Sequence, residues 1–90
     1  MSVRVLCKYN FATPYCPYGG TYPYSMTIGQ LKPIILNQIN SDPAAQPTAQ
    51  RQFSVIEFSK DQYEFFQNET TLQQIDPTSY GEIVFVYTLW

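Results

Sequence analysis

Apolar and polar positions alternate at the start of the chain. Val3, Val5 and Cys7 share one face, Arg4 and Lys8 the other, and this predicts a half-buried strand over Val3–Tyr9. Asn10, Pro14, Pro17 and Gly19-Gly20 then supply turn formers, so the strand ends there and a long loop follows. Thr21–Met26 is rich in strand formers, but Pro23 has no amide hydrogen for a ladder, which predicts an edge strand. At Thr27-Ile28-Gly29-Gln30 the period changes. Threonine followed three residues later by glutamine forms a capping box, and Ile28, Leu31, Ile35 and either Leu36 or Ile39 make a stripe of helical period. Pro33 would remove the amide bond to Gly29, so the helix either bends there or becomes regular only from Pro33. Asn40-Ser41-Asp42-Pro43 closes it, and 44–50, with Pro47, is a loop.

The second half returns to strand patterning. Over Gln52–Phe58 the alternation slips: Phe53 and Val55 fall on one face, Ile56 and Phe58 on the other, as expected of a bulge or of a strand covered on both sides. Lys60-Asp61-Gln62 turns the chain, Tyr63–Phe66 forms a brief pairing segment, and Glu69–Ile75 a short helical turn. The run Ile83–Trp90 is dense in β-branched and aromatic residues, which places it mid-sheet.

This order of hairpin, helix, strand, short helix and central strand resembles the β-grasp fold of the ubiquitin-like proteins, across Val3 to Tyr87. Thr27-Ile28-Gly29-Gln30-Leu31-Lys32 is similar to that family's helix start, Thr71-Leu72 to its short helix, and Ile83–Tyr87 to its last strand. The resemblance implies an α+β domain spanning 1–90, with a mixed four- to five-stranded sheet packed on one helix. It says fold, not function. The family's conjugated modifiers and sulfur carriers end in Gly-Gly, whereas this sequence closes on Thr88-Leu89-Trp90 and carries Gly19-Gly20 inside a loop. A conjugated modifier is therefore not expected from the chain as it stands; a modifier precursor lacking its tail is one alternative. Tyr80-Gly81 and Ile83–Val86 are also similar to the ubiquitin-like domain of tubulin-folding cofactors, a cytoskeletal alternative.

Composition narrows the chemistry. Histidine is absent, and with it the commonest general base and metal ligand. Cys7 lies on the core face, Cys16 in a loop without a basic neighbour, and a reduced pair is expected, in the cytoplasm or another reducing compartment. Asp61, Glu64 and Glu69 gather around one turn in the pattern of a solvated face. No catalytic, cofactor-binding or metal-ligating set is expected, and the reading is non-enzymatic. Arg4, Lys8, Lys32, Arg51 and Lys60 are scattered and outnumbered by seven acids, which argues against nucleic acid. No apolar run approaches the roughly 20 residues of a membrane-spanning helix.

What remains is binding. Aromatic residues make up 17 % of the chain against 13 % charged, a balance suited to a small subunit docked in a larger assembly. Tyr15, Tyr18, Tyr22 and Tyr24 fall within ten residues, suited either to covering the sheet edge or to meeting a partner. If Ile83, Phe85 and Tyr87 point inward, Val84 and Val86 point outward, and with Ile56 they form the apolar sheet face that the resemblance implies for protein partners. Trp90 is a third candidate contact. The expected function is a non-catalytic protein-interaction module or accessory subunit.

Overall fold

In the computed structural model, which describes residues 1–9, 17–42, 53–61 and 63–90, the chain runs as β1 (Ser2–Lys8), β2 (Tyr18–Pro23), α1 (Ile28–Asn40), β3 (Ile56–Ser59), α2 (Leu72–Ile75) and β4 (Glu82–Leu89). The four strands form one mixed sheet in the order β2-β1-β4-β3. The two most strongly patterned strands, β1 and β4, are the central pair and run parallel, with Val5 opposite Ile83 and Cys7 opposite Phe85. The outer strands are both antiparallel to their neighbours. This is a small α+β domain with a mixed sheet and a helix. Phe11, Tyr15, Cys16, the loop over 44–50 and Gln52 lie outside the described residues.

The core lies between one face of the sheet and α1. Val3, Val5 and Cys7 from β1, Ile56 and Phe58 from β3, and Ile83, Phe85 and Tyr87 from β4 meet Ile28, Leu31, Ile35 and Ile39 of the helix. Side chains of this size contribute about 1.5–3 kcal/mol each when fully buried. Phe58 and Phe66 both pack their rings on Phe85, with centroids 5.2 and 5.6 Å away.

Several elements differ from the sequence reading: β3 is Ile56–Ser59 rather than 52–58, α2 is Leu72–Ile75 rather than 69–75, and β2 and α1 differ as follows. β2 occupies Tyr18–Pro23, not 21–26, because Gly19 and Gly20 belong to the strand. Gly19 has φ +147°, and a Cβ on it would sit 2.0 Å from the Val5 carbonyl oxygen, so only glycine lets the strands approach this closely. α1 is continuous through Pro33. Its first turn does not depend on the missing proline amide: Gln30 N–H donates to Thr27 Oγ1 (3.2 Å), and Ile28 and Gly29 donate to Thr70 and Asn68 (2.8 and 2.9 Å).

The slip in the Phe53–Phe58 alternation is a bulge. Ser54 and Val55 N–H both donate to the Trp90 carbonyl (2.9 and 3.3 Å), so two residues oppose one. Phe53 thereby packs on the core, and Ile56 and Phe58 re-enter it. Of the expected Tyr63–Phe66 pairing segment, an isolated bridge between Ser59 and Phe65 is present.

Candidate functional site

The expected triad of exposed aliphatic residues does not form. Val84 does lie on the open face of β4 and is 38 % exposed. Val86 shares that side of the sheet, away from α1, but is 1 % exposed, flanked in register by Lys8 and the fully buried Ser59. Parity put it on the outer face; parity says nothing about whether that face is covered. Ile56 is 2 % exposed because the bulge turns it inward onto the core.

The tyrosines divide similarly. Tyr18 and Tyr24 are buried in the core, and Tyr22 packs against it, its hydroxyl donating to the Gly19 carbonyl (3.2 Å). In the alternation of β2, Tyr18 and Tyr22 fall on the inner face, opposite Cys7 and Val3; Tyr15 lies outside the described residues. The Tyr18 hydroxyl donates to Asp42 (2.7 Å), and its ring meets Tyr87 edge-on at 6.1 Å. Burial first, then the nearby Cys7, Tyr9 and Asp42, push the Tyr87 hydroxyl up to about 12. Tyr9, Ile39, Phe53, Tyr87 and Leu89 line a cleft of about 310 Å³ beside this group.

Tyr24 donates to Asp76 at 2.7 Å, and the same carboxylate accepts from the Tyr80 and Gly81 amides, each at 3.0 Å. The Gly81 amide first, then Tyr24, holds the Asp76 carboxyl below the usual carboxylate range, while the same contact raises the Tyr24 hydroxyl. These donors fix the turn into β4, where Ser79 adopts φ +55°. The cluster is a structural anchor for that turn. Among the described residues, no group of three acids or cysteines is placed to hold a metal ion, and no helix is long and apolar enough to cross a membrane.

Exposed apolar surface collects elsewhere, at the end of β4. Val55 (45 % exposed) and Trp90 (53 %) are joined across the bulge by backbone hydrogen bonds, and Phe65 (42 %) sets its ring edge-on to the indole with centroids 6.2 Å apart. The sequence reading includes Trp90 but not its two neighbours. The signal for Phe65 is the Phe65-Phe66 pair: Phe66 packs on the core, its amide donating to Phe58 O (2.8 Å), so the adjacent ring is turned out. Asp61 fixes the approach to Phe65 by accepting the Tyr63 and Glu64 amides (2.9 and 3.0 Å), which also lower its own pKa, Glu64 more than Tyr63. Lys60, Asp61, Glu64, Phe65 and Phe66 line a depression of about 280 Å³ at this edge.

No protein-family model matches the chain, and no curated protein or solved structure matches it either.

Proposed function

We propose that this chain is a ubiquitin-like β-grasp domain acting as a non-catalytic protein-interaction module or accessory subunit. The β-grasp reading is supported by the element order and by a parallel central pair flanked by antiparallel edges. The interaction reading is carried by one observation: Val55, Phe65 and Trp90 are large, adjacent and exposed. Tryptophan and other large rings dominate the energetics of protein interfaces, because covering them removes much apolar area from water.

The test is site-directed photo-crosslinking in the cells that produce the protein. A photoreactive phenylalanine analogue at position 65 is expected to trap a discrete protein adduct; the same analogue at the exposed Thr21, on the opposite edge strand, is not. Trp90→Ala should reduce capture at position 65 about tenfold, equivalent to roughly 1.4 kcal/mol. Identical adducts at positions 65 and 21, or none at 65, would refute the module reading.

A further inference from the structure

The chemistry around the exposed rings selects a class of partner, on the premise that this surface binds protein. Of the two nearby cations, Lys32 is engaged, its Nζ shared between Glu57 Oε1 (2.8 Å) and Asn68 Oδ1 (2.5 Å), and Lys60 stands in the wall of the same depression as Glu64 and Phe65. Glu64 is exposed beside Phe65, and its carboxylate has no partner among the described residues. Asp61 spends its hydrogen bonds on two neutral amides, so its negative charge is not cancelled. The depression therefore has two carboxylates against one lysine in its wall, an aromatic side at Phe65, and the Trp90 indole against that ring.

We infer that this surface receives an arginine side chain presented by the partner, its guanidinium stacked on the Phe65 ring beside Trp90 and hydrogen-bonded to Glu64. Arginine fits both halves of the site. Its planar cation lies flat on an aromatic face while the fork of N–H groups reaches a carboxylate, whereas a lysine ammonium is compact, strongly hydrated and unable to stack. An acidic partner would meet Asp61 and Glu64 as like charges. The net charge of −2 favours the same sign of partner at longer range.

Trp90 is the only tryptophan in the sequence, so its fluorescence reports on this site directly. Blocked hexapeptides alternating leucine with arginine, lysine or glutamate are titrated at physiological salt. The arginine peptide is expected to shift the Trp90 emission saturably, and to bind about tenfold more tightly than the lysine peptide, since only arginine stacks and forks. The glutamate peptide should give no saturable change. Glu64→Gln should weaken the arginine peptide about threefold or more, and Phe65→Ala about tenfold, with unchanged circular dichroism showing that each variant is folded. Equal affinity for arginine and lysine peptides, no saturable change with arginine, or full binding by folded Phe65→Ala would each overturn the assignment. Should the arginine peptide fail while position 65 still traps a protein adduct, the interaction reading stands and the arginine chemistry alone falls. Loss of both removes both.

Discussion

Asp76 shows how one buried side chain sets local backbone geometry. Its carboxylate takes the Tyr24 hydroxyl and two consecutive turn amides, which locks the left-handed Ser79 and Gly81 (φ +104°) ahead of β4. Protonation removes charge from an acceptor of three hydrogen bonds. Because the folded-state pKa is depressed, the stability from this contact is fully present above the unfolded value and is lost as pH falls through the folded one. The thermal midpoint of the native protein should therefore decline on acidification below about pH 4. Asp76→Asn should begin lower at neutral pH and decline less, because the titrating group is gone; Asp61, also depressed, leaves a residual slope. Parallel melting curves at neutral and acid pH check this, and equal slopes for the two proteins would refute it.

At the scale of elements, the two helices are coupled at their N-termini. Each begins with a threonine capping box, Thr27 with Gln30 and Thr71 with Gln74. The two caps form an isolated antiparallel bridge, in which Ile28 N–H donates to Thr70 O and Leu72 N–H to Met26 O (2.8 and 2.9 Å). Orphan amides of each first turn are thus satisfied partly by the other helix's lead-in. A four-residue helix such as α2 has no standing of its own in water, and this bridge with the buried Leu72 is what anchors it. Thr27→Ala and Thr71→Ala should each cost about 1 kcal/mol, and the serine variants much less, since serine keeps the accepting hydroxyl. Because the caps are bridged, the double variant should depart from additivity by about 0.5 kcal/mol or more. Urea denaturation of the four single variants and the double alanine variant measures both quantities.

For the whole molecule, the sheet has one face on the helix and one that is unevenly covered. Phe85, Val86 and Val84 sample those environments within three consecutive residues. Phe85→Ala empties the core beneath Phe58 and Phe66 and should cost about 3–5 kcal/mol. Val84→Glu places a charge on open surface and should shift stability by no more than about 0.5 kcal/mol. Val86→Glu, on the same strand face, instead buries an unpaired carboxylate and should destabilise by about 3 kcal/mol or unfold the domain. Thermal melts of the three variants decide this, and a tolerated Val86→Glu would mean the outer face is open throughout.

What the sequence determined by itself is local. The two-residue period of Val3–Cys7 and Ile83–Tyr87 and the helical stripe from Ile28 to Ile39 fixed which side chains share a face. Thr27, three residues before Gln30, marked the start of α1, because caps and periods are written in neighbours along the chain. The sequence reading of the short helix is only a turn over Glu69–Ile75; its Thr71 cap with Gln74 came from the structure. The slip between Val55 and Ile56 left a bulge and a strand covered on both sides both open, and the structure decided for the bulge. Only the tertiary structure decided that Val86 is covered and Val84 open, and that Tyr18 and Tyr24 end in the core with Asp42 and Asp76 as their partners. It alone brought Phe65 against Trp90. Each of these is a meeting of residues far apart in the chain. Side-chain parity names a face, but what lies over that face is set by contacts that no local period encodes.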